Sequence, residues 1–211
     1  MLRILLADDH AVVRQGVKQI LVEAFAKAVF GEAQTVPQLL ELVHKQKWDI
    51  VVLDLTMPNG SGLEALKQIK CDHPQLPVLV LSMHPADQYA VRTLKAGAAG
   101  YLNKESAPEE LVQALRKILD GGKYINAVVA EELVLHVGPA EDQPLYKKLS
   151  DREYQVLCLI ASGQDVKQIS AQLSLSAKTI STYRTRLLEK MGMKTNAELT
   201  HYAIQNGLVE M

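Results

Sequence analysis

Four segments of the chain each end an apolar run in a side chain that can handle charge. "RILLADDH" climbs into Asp8 and Asp9, "DIVVLDL" carries Asp54, "VLVLSM" carries Ser82, and "GYLNKES" carries Lys104. Three carboxylates, a hydroxyl and an ammonium make chemical sense around Mg2+, which takes oxygen ligands and is commonly held by one or two carboxylates plus phosphate oxygens. Such an ion would offset the clustered acids and leave one carboxylate free to attack phosphorus. Lys104 would balance charge on the transferred oxygens. Taken singly, each residue reads more plainly: an acid after a strand is usually a helix cap, Asp54 precedes the turn residues Pro58 and Asn59, and a lone lysine is usually solvated. Joint placement at four strand ends outweighs those readings, because capping does not predict a lysine and a hydroxyl in step with the acids.

The elements that must position these groups are legible in the periodicity. "AVVRQGVKQILVEAF" repeats at helical spacing along two adjoining ridges, Val12, Gly16, Ile20 and Val13, Val17, Leu21. "AVFGEA" is a weaker strand, followed by the helix "VPQLLELVHKQ". "DIVVLDL" is apolar through its centre, as expected of a strand covered on both faces. After the turn "PNGSG" come the helix "LEALKQIKC", the strand "LPVLVLSM", the helix "ADQYAVRTLKAG", the strand "GYLN" and the helix "PEELVQALRKILDGG". Strands alternating with helices in this way predict a doubly wound five-stranded parallel α/β sheet over residues 1–121. In an open parallel sheet, reactive groups gather at the carboxyl ends of the strands.

Residues 122–147 read as a linker with a short helix through Val128 to Val137, and residues 148–211 as helices alone. "SDREYQVLCLIASG" opens on Ser150 with Glu153 in capping-box position. Three further helices, "DVKQISAQL", "SAKTISTYRTRLLEKMG" and "NAELTHYAIQNG", complete a small all-α domain. In the third of the four, Ile180, Tyr183, Leu187 and Met191 form an apolar face, with Leu188 at its margin. Lys178, Ser181, Thr182, Thr185, Arg186 and Glu189 lie opposite, flanked by Arg184 and Lys190. A lone basic amphipathic helix is usually a solvated face. The short helix before it and the tight "SLSA" connection make it a helix-turn-helix, whose second helix can enter a major groove.

Residues 1 to about 121 resemble the receiver domains of two-component response regulators, on "LLADDH", "VVLDLTMPNGSG", "VLVLSM" and "GAAGYLNKES". The resemblance implies a flavodoxin-like fold in which Asp54 accepts a phosphoryl group from a partner histidine kinase or phosphotransfer protein. It implies that Asp8, Asp9 and Asp54 hold Mg2+, with the backbone carbonyl of Thr56 as a further ligand. Lys104 would contact the phosphoryl group, and Ser82 and Tyr101 would switch together. Thr56 and His84 neighbour the site where phosphoryl lifetime is tuned. Residues 149–209 resemble the LuxR-type helix-turn-helix of the NarL/FixJ family, and "TISTYRTRLLEKM" is similar to the GacA and BvgA kinds of member. That match makes Ser181, Thr182 and Thr185 the first candidates for base contact, with Lys178, Arg184 and Arg186 on phosphate or guanine.

Composition bounds these readings. A chain of 211 residues, 48% apolar and of net charge −1, is long enough for two globular domains. Cys71 and Cys158 match no disulfide or metal spacing and are expected to be buried thiols in a reducing compartment. No apolar run approaches the roughly 20 residues of a membrane span, and acids come too early for a signal peptide, so a cytoplasmic protein is expected. The leading expectation is a non-enzymatic transcription factor that binds paired half-sites as a homodimer when phosphorylated. Two alternatives stand beside it. One is a DNA-binding regulator independent of phosphorylation. The other is a Mg2+-dependent aspartyl-phosphate phosphotransferase or phosphatase, against which "DLTMP" lacks the second acid such enzymes use.

Overall fold

A computed structural model of the protein describes residues 1–83, 86–135, 144–173 and 175–209. Its contacts divide the chain into two compact units, residues 1–137 and 138–211. No helix among the described residues is long and apolar enough to cross a membrane.

The first unit is the expected alternation. Its strands are β1 (Arg3–Ala7), β2 (Val29–Ala33), β3 (Ile50–Leu53), β4 (Val78–Ser82) and β5 (Gly100–Asn103), all parallel, in the order β2-β1-β3-β4-β5. The helices between and after them are α1 (Ala11–Ala24), α2 (Val36–Lys45), α3 (Gly62–Asp72), α4 (Ala86–Lys95) and α5 (Ala107–Leu119). Every residue of β3 and β4 is buried, which is why their sequences run apolar without alternation. Ile4, Leu6, Ile50, Val52, Leu79, Leu81 and Leu102 form one core with Val17 and Leu21 of α1 and Leu111, Leu115 and Ile118 of α5. Each such side chain contributes about 2 kcal/mol on burial. At the edge strand, Gly31 leaves the room that the Trp48 ring occupies; a Cβ there would stand 2.2 Å from the ring.

Two departures from the sequence reading concern the helices. Of the ridges expected on α1, Val12 is 86% exposed, and the inward face is Arg14, Val17 and Leu21. A charged residue leads this face because its guanidinium is paired: Nε donates to Glu32 of β2 at 2.8 Å, and another nitrogen donates to the Asp8 carbonyl at 2.7 Å. Cys158 is buried as expected, whereas Cys71, near the end of α3, is exposed.

The segment after α5 is tied to the sheet. Tyr124 N–H donates to the Ala99 carbonyl at 2.9 Å, and Tyr124 bridges Gly100 in parallel fashion. Its hydroxyl donates to Glu110 at 2.8 Å; burial and that carboxylate push the phenol up to about 12. Asn126 Oδ1 accepts from Val129 N–H at 3.0 Å and starts a helix, α6 (Ala127–Leu135), which packs on α4. The remainder of the expected helix, to Val137, lies outside the described residues.

The second unit is helical. A 3-10 turn (Leu145–Lys148) precedes α7 (Asp151–Ala161), α8 (Val166–Leu173), α9 (Ala177–Met191) and α10 (Asn196–Gln205). The predicted capping box opens α7: Ser150 Oγ accepts from Glu153 N–H, and Glu153 Oε2 accepts from Ser150 N–H. Tyr154, Leu157, Ile169, Ile180, Leu187, Leu199 and Ala203 fill the interior. Gly192, at φ 64°, ends α9 in the left-handed conformation that glycine takes without strain.

Candidate functional site

Strand register brings the predicted groups of the first unit together. Ala7 pairs with Leu53, so Asp8 and Asp54 each stand one residue past the end of neighbouring strands, and Asp54 N–H donates to the Ala7 carbonyl at 2.8 Å. Asp54 is thus at the head of the loop that follows β3, not within the strand. Ser82 closes β4 opposite Asn103, and Lys104 N–H donates to the Ser82 carbonyl at 2.9 Å. Lys104 Nζ then reaches Asp8 Oδ2 at 2.7 Å and Asp54 Oδ2 at 2.8 Å. The second oxygens are held by backbone: Asp8 Oδ1 accepts from His10 N–H at 2.7 Å, and Asp54 Oδ1 from Thr56 N–H at 3.1 Å.

Burial is what gives this cluster its electrostatic character. Asp8 is 6% and Asp54 3% exposed. Burial raises the Asp54 carboxyl above the usual aspartate range, and Lys104 only partly reverses this. Burial alone would lower the Lys104 ammonium, but Asp54 and Asp8 beside it carry it above the ordinary lysine value. The lysine is therefore firmly cationic, and it bridges two acids that would otherwise repel each other in a medium of low dielectric.

One ligand atom from each of Asp8, Asp9, His10 and Asp54 lies within 4.8 Å of the others. Asp9 Oδ1 is buried and makes no hydrogen bond. A buried carboxylate oxygen without a donor, beside two further carboxylates, fits a hard divalent cation. Ser82 and Tyr101 are both fully buried on neighbouring strands. Thr56 lies in the loop after Asp54, and His84 lies outside the described residues.

Sequence reasoning missed two features here. His10, quoted in "RILLADDH" without a role, has a ring nitrogen within 4.8 Å of the acids' oxygens. Behind the acids, Glu32 joins Arg14 to Lys18, whose Nζ lies 2.7 Å from Glu32 Oε1. The signal for that was a charge in helical register with Val17 and Leu21.

In the second unit, α9 buries Ile180, Leu187 and Met191 and exposes Lys178, Ser181, Thr182, Thr185 and Arg186, as its wheel predicts. Ser181 Oγ donates to the Ala177 carbonyl, Thr182 Oγ1 to that of Lys178, and Thr185 Oγ1 to that of Ser181, at 2.9–3.1 Å. Arg184 differs from the other candidates. It is half-buried, and its Nε donates to Asn196 Oδ1 at the start of α10.

Comparison with known proteins agrees with both halves of this architecture. Residues 4–116 match the family described as the response regulator receiver domain, and residues 147–203 match the luxR family of bacterial regulatory proteins. Response regulator UvrY of Escherichia coli (strain K12) is 36% identical over 209 residues, covering 99% of this chain and 96% of the relative. Response regulator GacA of Pseudomonas protegens is 37% identical over 211 residues, covering 100% of this chain and 99% of the relative. Among solved structures, RcsB from Salmonella enterica serovar Typhimurium, bound to promoter rprA in the presence of phosphomimetic BeF3-, superposes with a TM-score of 0.69. It is 28% identical and covers 96% of this chain and 98% of its own. The chain therefore belongs to the two-component response regulators of the NarL/FixJ family, in which a receiver domain is joined to a LuxR-type DNA-binding domain.

Proposed function

We propose that this response regulator controls transcription through a phosphoryl group that Asp54 accepts from a partner histidine kinase or phosphotransfer protein. The observation that carries the reading is the buried Asp54 carboxylate, joined through Lys104 to Asp8 at the carboxyl ends of β3, β5 and β1. Asp8, Asp9 and Asp54, with the Thr56 carbonyl, would hold Mg2+, which when bound would supply positive charge to the incoming phosphoryl oxygens. An Asp54 carboxylate oxygen attacks phosphorus as the bond to the donor breaks, leaving an acyl phosphate. Lys104, already within reach of Asp54 Oδ2, pairs with a phosphoryl oxygen. Ser82 then turns its hydroxyl toward the new phosphoryl group, and Tyr101 moves with it, so that a local change of charge biases a two-state surface.

The output is DNA binding by the second unit, with α9 in the major groove. Lys178, Arg184 and Arg186 contact phosphate or guanine, and Ser181, Thr182 and Thr185 meet bases. The RcsB relative bound to promoter rprA supports DNA binding as the output. Phosphorylation favours a homodimer, and two tethered DNA-binding domains then gain effective concentration at paired half-sites. The protein works in the cytoplasm. An enzymatic phosphotransferase finds no support among relatives that are response regulators.

Incubation with Mg2+ and acetyl phosphate is expected to label the wild type on Asp54 and to leave Asp54→Ala unlabelled; label on the mutant would move the site. Genome-wide binding profiles of the two proteins should differ. Equal profiles would instead mean a regulator independent of phosphorylation, and the absence of enriched sites in both would overturn the DNA-binding output.

A further inference from the structure

We infer that His10 is a ligand residue of the acidic site, which gives that site a nitrogen donor and the capacity to select a divalent transition-metal ion over Mg2+. The inference rests on the reading of Asp8, Asp9 and Asp54 as metal-binding residues, and it adds a residue that the phosphoryl chemistry does not use.

His10 Nδ1 lies 2.8 Å from Asp9 Oδ1, yet no hydrogen bond joins them, since that oxygen is buried without a hydrogen-bond partner. A nitrogen and a carboxylate oxygen this close have the spacing of two ligands on one ion. Donors about 2.1 Å from a metal on adjacent octahedral positions stand about 3.0 Å apart.

Helix capping does not account for the ring. His10 occupies the N-cap position of α1, but its side chain makes no capping hydrogen bond. Its backbone is fixed instead, because His10 N–H donates to Asp8 Oδ1 and thereby holds the imidazole over the acids. The side chain is 62% exposed, so the ring is open to an ion arriving from solvent.

The donor set carries a chemical consequence. Carboxylates with water suit Mg2+, whereas imidazole shifts preference toward Zn2+, Ni2+ and their neighbours. A site that combines both would respond to transition-metal availability as well as to its phosphoryl donor.

Calorimetric titration of the untagged full-length protein with Ni2+ and, separately, with Mg2+ tests this. The ratio of Mg2+ Kd to Ni2+ Kd is expected to fall at least tenfold in His10→Ala. Asp9→Asn is expected to weaken both ions. If the ratio is unchanged in His10→Ala while Asp9→Asn weakens both ions, His10 is not a ligand and the acidic site stands. If Asp9→Asn leaves Mg2+ binding intact, the metal-site reading itself falls, and this inference falls with it.

Discussion

The Lys104 ammonium stands 2.8 Å from Asp54 Oδ2 and, without moving, 2.7 Å from Asp8 Oδ2. It occupies the charge-balancing position between two buried acids. Lys104→Met is therefore expected to destabilise the fold by about 3 kcal/mol in the absence of divalent cations, because it leaves two buried like charges uncompensated. If the acids of the native state hold Mg2+, its addition should recover part of that loss. Urea unfolding with and without Mg2+ measures both. Labelling of Asp54 by acetyl phosphate should fall by roughly tenfold or more, for want of the ammonium on the transferred oxygens.

Gly62 opens α3 directly against the loop that begins at Asp54. A Cβ there would stand 2.4 Å from the Asp54 carbonyl oxygen and 2.6 Å from Leu55 Cα, both backbone atoms that cannot swing aside. Gly62→Ala is expected to cost about 2 kcal/mol or more through displacement of that loop. Labelling of Asp54 should drop in the same variant even where thermal scans find it folded. Gly121→Ala, where a Cβ meets nothing within 4 Å but φ is +87°, should show a stability loss without the labelling defect.

Glu153 offers a test by pH. Its Oε2 accepts from Ser150 N–H at 2.8 Å and from Lys190 Nζ at 2.7 Å, and the carboxyl is almost fully buried. Burial alone would raise its pKa, but these donors together hold it below the ordinary 4.5. A carboxyl lowered on folding adds stability above its unfolded pKa and loses it as the pH falls through the folded value. Glu153→Gln should accordingly cost about 1–2 kcal/mol at pH 7. That cost should shrink as the solution is taken below the glutamate range, which paired denaturation curves would reveal.

Lys178 and Arg186 are exposed on α9. If they lie on phosphates, Lys178→Ala and Arg186→Ala each lower affinity for every DNA sequence alike and reduce the slope of log affinity against log salt by about one. If Arg186 instead reads a guanine, its loss relaxes specificity at one base pair and costs about 1–3 kcal/mol there. Binding isotherms at several salt concentrations on matched and mutated sites separate the two.

The parts of the fold written in local pattern were legible. Continuous apolar runs marked β3 and β4, capping residues marked α7, and the wheel of α9 sorted its buried from its exposed residues. Asp54, Asp8 and Lys104 were placed together by topology alone, since parallel strands in one sheet must deliver their carboxyl ends to one edge. What periodicity could not give were pairings between distant segments. Arg14 interrupts an otherwise apolar ridge, and it is buried because Glu32 and the Asp8 carbonyl, on other elements, satisfy its guanidinium. The attachment of Tyr124 to Gly100 and of α6 to α4 has the same character, because glycine at position 100 matters only once a carbonyl 2.8 Å from its missing Cβ is known.

The hydroxyls of Ser181, Thr182 and Thr185 each donate a hydrogen bond to a carbonyl of their own helix. If these residues meet bases, they do so in that orientation with lone pairs, which accept from the amino groups of adenine and cytosine and not from the acceptor edge of guanine; reading guanine would first require the hydroxyl to turn away from its carbonyl. On that reading any guanine in an operator would be left to the cations Lys178, Arg184 and Arg186. With α9 as the reading helix, its own backbone would set a division of labour between letters before DNA arrives.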